Sequence, residues 1–177
     1  SNGSLIVYEN AGYIYKYDTK TGQNEKVDIT VSDDKLWARD EIKNTSTYIR
    51  SFDLSKNGER VVFSARGDIY SLPATKGITY NLTRTPGVHE RNVTWSPDGK
   101  YIAYLSDATG EFEIYIQPVD GSSQAVQLTK NADTYYYEMV WSPDSKKILW
   151  ADRKFRLRYI DVATKAITEI TQSKYGS

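Results

Sequence analysis

The chain has 177 residues, 39% hydrophobic and 26% charged, which suits a soluble globular fold with a real core. Lys+Arg and Asp+Glu both number 23, and this balance argues against a general nucleic-acid or membrane-surface binder, since either needs a basic excess. There is no cysteine, which excludes disulfides and thiolate zinc sites, and no apolar run approaches the roughly 18 residues of a membrane span.

Zero cysteine fits the cytoplasm and the periplasm alike, so the compartment stays open. Ser1-Asn2-Gly3, without Met, reads as the start of a piece taken from a longer protein. Tyrosine is the outlier, at 15 residues, and with Ile, Val and Thr it points to strands.

In chain order, strands are expected at 5–8, 13–18 and 25–29. A long connector follows, DITVSDDKLWARDEIKNTSTYI, from Asp28 to Ile49; its Arg39-Asp40-Glu41 reads as a solvated or interdomain patch. Beyond it one turn recurs. Ser55-Lys56-Asn57-Gly58 aligns with Ser96-Pro97-Asp98-Gly99, 41 positions later, and with Ser142-Pro143-Asp144-Ser145, 46 positions further on. Pro presets φ, Asp or Asn bonds back to the backbone, and Gly takes positive φ, which makes a tight hairpin. Ser145 replaces that Gly and should be slightly strained.

Each turn joins a first strand (51–54, 92–95, 138–141) to a second (60–64, 101–106, 147–151). A third strand is expected at 68–72, 114–117 and 157–161, and a fourth at 80–83, 126–129 and 169–171. The amino-terminal segment matches strands two to four of such a unit.

A four-stranded antiparallel unit repeated every 41 to 46 residues reads as a β-propeller blade. The expected fold is therefore all-β: a propeller fragment of about four blades of four antiparallel strands, the first incomplete. Residues 1–30 form the partial blade, 31–49 the connector, 50–83, 84–129 and 130–171 the full blades, and 172–177 a tail. A β-sandwich also has many short strands, but the strict repeat disfavours it. Trp95 and Trp141 end first strands, where large aromatics fill blade-to-blade contacts. A fragment of a larger propeller leaves sheet faces and edges open, so self-association through them is expected.

The motifs also resemble a known family. ARGDIYSLPATKGITYNLTRTPGVHERNVTWSPDGKYIAYLSDATGEFEIYI, residues 65–116, resembles the second propeller of tricorn-type proteases. Within it, NLTRTPGVHERNVTWSPDGKYIAYLSD is the most specific part; FDLSKNGERVVFSARGDIY and LWARDEIK also fit. SPDGK alone is shared with TolB-like and dipeptidyl-peptidase-like propellers. The resemblance implies a large serine protease with two propellers, a PDZ domain and a carboxy-terminal catalytic domain, whose propellers guide peptides to an enclosed site. It implies a seven-bladed second propeller, of which this chain would supply about the first half. No position here corresponds to the family's nucleophile or base, so no catalytic residue is expected in this chain.

The chain's own chemistry agrees. It has one histidine, His89, no G-x-S-x-G elbow, no Walker loop and no dinucleotide fingerprint. No cofactor or metal is expected; Asp107-Ala108-Thr109-Gly110-Glu111 reads as a hairpin turn. The more informative positions are where first strands begin, which in a propeller face the channel mouth. Register compares Tyr48, Ile49, Arg50 and Ser51 with His89, Glu90, Arg91 and Asn92, and with Tyr135, Tyr136, Tyr137 and Glu138. The candidates for peptide contact are Arg50, His89, Glu90, Arg91, Tyr137 and Glu138, with Arg pairing to a carboxylate and Tyr stacking on side chains. On the other reading Glu90 and Arg91 tie neighbouring blades, and His89 bonds a loop carbonyl.

The expected function is a non-catalytic propeller module of a tricorn-like serine protease. The alternative is a TolB-like protein-interaction propeller with no protease attached; a prolyl-oligopeptidase-type propeller is a third option. The expected partners are peptide substrates and the rest of the parent chain, not nucleic acid.

Overall fold

Fifteen short strands and one 3-10 turn make up the regular structure of the computed structural model, which describes residues 3–10, 12–30 and 44–174. Residues 31–43, with most of the expected connector and its Arg39-Asp40-Glu41 patch, lie outside the described residues. The chain divides into two compact units, Ser1–Ile42 and Lys43–Ser177. No α-helix occurs among the described residues, so none is long and apolar enough to cross a membrane. The all-β expectation holds: there are four antiparallel sheets, the first with three strands and the others with four.

The first unit is a meander of β1 (Leu5–Asn10), β2 (Tyr13–Asp18) and β3 (Asn24–Lys26). Tyr8 pairs with Tyr15 across β1 and β2, and their rings stack at 5.5 Å. β3 ends earlier than expected, because its ladder reaches only Tyr15, Lys16 and Tyr17 of β2. Within this unit Leu5, Ile6 and Val7 are exposed.

The second unit opens with the 3-10 turn Ser46–Tyr48. Its first sheet is β4 (Ile49–Leu54), β5 (Arg60–Ala65), β6 (Asp68–Pro73) and β7 (Tyr80–Asn81). Next come β8 (Glu90–Trp95), β9 (Tyr101–Ser106), β10 (Glu113–Pro118) and β11 (Val126–Gln127). The last sheet is β12 (Tyr136–Trp141), β13 (Lys147–Asp152), β14 (Arg156–Asp161) and β15 (Ile167–Gln172). In each sheet, strand order follows chain order.

The repeated turn repeats its hydrogen bonds. Ser96 Oγ donates to Asp98 Oδ1 (2.6 Å) and accepts from Tyr101 N (2.9 Å), while Asp98 Oδ1 accepts from Lys100 N (3.1 Å). Ser142 and Asp144 make the same three bonds at 2.6, 2.9 and 3.1 Å, and Ser55 and Asn57 at 2.8, 3.0 and 3.2 Å. In the two aspartate copies these donors hold the carboxyl below its usual range; at Asp98 partial burial opposes them and loses. Ser145 takes the left-handed φ of 59° that Gly58 and Gly99 supply at the same place, which carries the strain expected of a side chain there. Its hydroxyl compensates by accepting from Asp98 N at 3.0 Å, a bond from one sheet to the next that Gly lacks.

Strand four is shorter than expected in two sheets. Leu82 and Leu128 still donate N–H to the carbonyls of Ile69 and Ile114, both at 2.8 Å. The next bond, however, is made by a side chain: Ile69 N donates to Thr83 Oγ1 (3.1 Å) and Ile114 N to Thr129 Oγ1 (2.8 Å). The threonine hydroxyl replaces a backbone carbonyl, so the strands end two residues early, at Asn81 and Gln127.

Register shifts near the start of all three first strands, between Ile49 and Ser51, Arg91 and Thr94, and Tyr136 and Met139. Such bulges leave backbone donors unpaired in their own sheet. In β8 the preceding sheet takes them: Val93 N donates to Ser51 Oγ (3.1 Å), and Trp95 N and Thr94 Oγ1 donate to Asp53 Oδ2 (2.8 and 3.0 Å).

Alternation along β9 builds two apolar seams. Ile102 and Tyr104 join Val62, Ile69, Val93 and Trp95 on one face, while Ala103 and Leu105 join Met139, Trp141, Ile148 and Trp150 on the other. The middle sheet is thus covered on both faces, and both expected tryptophans fill seams. Phe52 on β4 (69% exposed) and Val140 on β12 (58%) lie open to solvent.

Candidate functional site

The first strands begin in equivalent places: Ile49 pairs with Ala65, Glu90 with Ser106 and Tyr136 with Asp152. Arg50, Arg91 and Tyr137 each follow that first pair; Arg91 stays in the ladder opposite Leu105, whereas Arg50 and Tyr137 fall in the register shift. Side chains alternate across a strand, so Glu90 and Arg91 turn to opposite seams.

Glu90 turns toward the β4–β7 sheet and is buried, 2% exposed. Its N–H donates to Gly67 O at 2.7 Å. Gly67 forms a two-residue hairpin with Arg66, both at positive φ (94° and 57°), as a type I′ turn requires. A side chain at Gly67 would press on Val88 O at 3.2 Å, so the close approach needs glycine twice over. Thr85 Oγ1 donates to Glu90 Oε1, whereas Oε2 has no hydrogen-bond partner among the described residues. Burial pushes the Glu90 carboxyl above its usual range, and nearby Asp68 and Asp107 add to this; the hydroxyls of Thr85 and Thr83 oppose it.

Arg91 turns the other way and is clamped between two rings, 4.0 Å from the centre of Phe112 and 4.0 Å from that of Tyr135. Nη1 donates to Tyr135 Oη, while Nε and Nη2 are buried and have no hydrogen-bond partner among the described residues. Burial lowers its pKa.

A cleft of about 360 Å³ opens at this end of the seam between the β4–β7 and β8–β11 sheets. Arg50, His89, Glu90 and Arg91 line it together with Tyr48, Arg66 and the Gly67 turn. The Arg66 guanidinium lies 5.2 Å from the centre of the Tyr48 ring. His89 N donates to Asp107 Oδ1 at 2.7 Å, and its imidazole meets Phe112 edge-on at 5.8 Å. Four of the six candidates thus lie at the cleft, Arg91 with its guanidinium turned into the other seam. Tyr137 and Glu138 do not; both are exposed on β12, where the Tyr137 carbonyl accepts from Asn92 Nδ2 at 2.7 Å. A larger cleft of about 590 Å³ lies at the opposite end of the seam, lined mainly by the Ser55 and Ser96 hairpins.

This arrangement can bind by charge and hydrogen bonding. Exposed arginines supply positive charge at the rim, and a buried carboxyl supplies one uncommitted polar atom. No group of three or more His, Cys, Asp or Glu able to hold a metal occurs among the described residues.

Sequence reasoning missed Arg66, Thr85, Asp107 and Phe112. The first could have been found, because a two-residue Arg-Gly between alternating runs is a hairpin signal that brings its Arg to the strand-one end. Phe112 and Tyr135 meet Arg91 only through sheet stacking and leave no local mark.

Residues 49–177 match the family described as "Tricorn protease second beta propeller domain". The chain is 28% identical to a tricorn protease homolog from Saccharolobus solfataricus, over 99% of this chain and 16% of that protein. Among solved structures it resembles the tricorn protease, with a TM-score of 0.67 and 19% identity over 98% of this chain and 16% of the other. It also resembles TolB from Acinetobacter baumannii, with a TM-score of 0.60 and 20% identity over 98% of this chain and 42% of the other. At these identities the structural likeness speaks for the propeller fold alone. The chain spans about a sixth of the length of the tricorn relative.

Proposed function

Because the chain belongs to the tricorn protease second β-propeller family, we propose that it is a non-catalytic module that scaffolds a tricorn-like serine protease. Its task is to guide peptides toward a catalytic domain outside this chain. The observation that carries this reading is the cleft where Arg50, His89 and Glu90 meet at the strand-one end. There an exposed guanidinium can pair with a passing carboxylate.

Arg50→Ala in the full-length protease should lower kcat/KM for peptides about tenfold, the effect of losing one charge-assisted hydrogen bond. Its Tm should not move, because Arg50 is exposed and its side chain has no hydrogen bond or ion pair with another sheet among the described residues. Unchanged cleavage would count against peptide guiding.

The second reading, a TolB-like interaction propeller without a protease, draws on the likeness to TolB. The parent reading frame separates the two. A PDZ and serine-protease region downstream supports the first, and a stop soon after the last blade supports the second.

The open faces bearing Phe52 and Val140 would be covered by further blades in a complete propeller. We propose that the isolated chain self-associates through them. Light scattering should show concentration-dependent growth in mass, and a strictly monomeric, stable chain refutes the idea.

A further inference from the structure

We propose that the cleft beside Glu90 is a proton-linked site for a carboxylate, such as a peptide's carboxyl terminus. In it Glu90 Oε2 donates a hydrogen bond while Arg50 and Arg66 supply positive charge. This deepens the peptide-guiding reading and rests on it.

Three features of the cleft favour a carboxylate. First, Oε2 is a buried polar atom on a residue that lines the cleft, and no group among the described residues meets it in hydrogen-bond geometry, although the Thr83 hydroxyl lies near enough to the carboxyl to favour its charged form. A buried group in this state gains a full hydrogen bond when a ligand supplies the partner. Second, burial and the acids nearest Glu90 favour its neutral form, against the positive charge of Arg50 and Arg66 at the rim of the same cleft. Asp68 on β6 and Asp107 in the turn after β9 are acidic. Tyr104 on β9 is itself held neutral, by burial and then by Glu90. Thr83 and Thr85 offer hydroxyls, and Arg91, next in the strand, points into the other seam. No cation bonds the Glu90 carboxyl among the described residues.

Third, the rim is basic. Arg50 and Arg66 are exposed and line the cleft with His89. A ligand ammonium would meet two guanidinium groups there. A carboxylate instead finds guanidinium donors and, deeper in, an O–H donor. The step is a binding equilibrium: the ligand stays ionised, Glu90 keeps its proton on Oε2, and that proton points to the ligand oxygen.

The sign of the pH dependence follows. The folded-state pKa of Glu90 is raised, so its neutral form dominates to higher pH than in a free glutamate. A peptide carboxyl ionises near about 3.5. Binding is therefore strongest between these values and weakens as pH rises through the Glu90 pKa, when two anions face each other. By linkage the same group stabilises the fold below its unfolded pKa, and that stability is lost as pH rises through the folded value.

Calorimetric titration of the 177-residue chain with N-acetyl-pentaalanine and with its carboxamide tests this. At about pH 4.5, above the peptide carboxyl's pKa and at or below that of Glu90, the free acid should bind about tenfold tighter than the amide, and at about pH 8 this preference should shrink several-fold. Glu90→Gln keeps a donor at every pH, so it should retain the preference and flatten its pH dependence. It should also raise Tm at about pH 8 relative to the parent chain. Arg50→Ala or Arg66→Asn should weaken the acid at both pH values; Asn is chosen because it tolerates the left-handed backbone.

Equal affinity for acid and amide, or no measurable binding of the acid, overturns the proposal. So does a folded Glu90→Gln variant that loses the acid preference, because an uncharged donor at that position would then not be what favours the acid. If Arg50→Ala slows cleavage in the full protease while the chain shows no acid preference, peptide guiding survives and the carboxylate site does not.

Discussion

Trp150→Ala should lower the unfolding free energy by about 3–5 kcal/mol, and Tm by about 10 °C. Trp150 is the largest fully buried side chain, 1% exposed, in the seam between the β8–β11 and β12–β15 sheets. It meets the Tyr136 ring at 5.6 Å and has the Arg158 guanidinium 5.0 Å from its ring centre. Truncation opens a cavity between stacked sheets that cannot close without moving a whole blade. Trp150→Phe should cost much less, about 1 kcal/mol, because it keeps most of the volume and removes an indole N–H that has no partner. Urea unfolding followed by circular dichroism measures both variants. A cost below about 1 kcal/mol for the alanine variant would mean that the seam does not carry the stability assigned to it.

Asp152→Ala should cost about 3–5 kcal/mol for a different reason, the loss of one partner from a buried ionic cluster. The Asp152 side chain is wholly buried; its Oδ2 accepts from Arg156 Nε at 2.8 Å and Arg158 Nη2 at 2.6 Å. Its Oδ1 accepts from the backbone of Lys154 (2.9 Å) and Arg156 (3.2 Å), shaping the hairpin in which Phe155 takes a φ of 58°. Arg156 keeps a second partner in Asp133, but Asp152 is the only acid that Arg158 pairs with among the described residues. The variant thus leaves a guanidinium 13% exposed against Trp150 and Tyr136. Adding Arg158→Met to Asp152→Ala should recover part of the loss, since it replaces the stranded charge with a side chain of similar reach. If the double variant is no more stable than the single one, the cost lies in the hairpin bonds to Oδ1 instead.

Both residues show what could be read from the chain and what could not. Position 150 is a tryptophan two steps from another apolar residue, Ile148, after a Ser-Pro-Asp-Ser turn, which is enough to place it on an alternating strand facing a seam. That Asp152 is buried is not legible, because an acid at a strand end is ordinarily solvated. Only the return of β14 beside β13 brings Arg156 and Arg158 to it. Arg91 and Glu90 make the same point at the candidate site. Their positions in the register were readable, and the alternation that separates them was readable too. What each one meets was not, since Phe112, Tyr135 and the Arg66-Gly67 turn lie up to 44 residues away.

The turns, the four-strand unit, its repeat and the tryptophan seams are legible in the chain alone. These follow from local rules: an Asp or Asn folding back on its own backbone, glycine at positive φ, and side chains alternating across a strand. Tertiary structure decided where strand four stops, how bulged donors are satisfied and which polar side chains are buried. Those outcomes depend on which sheet stacks on which, and stacking brings together groups whose spacing in the chain carries no periodic signal.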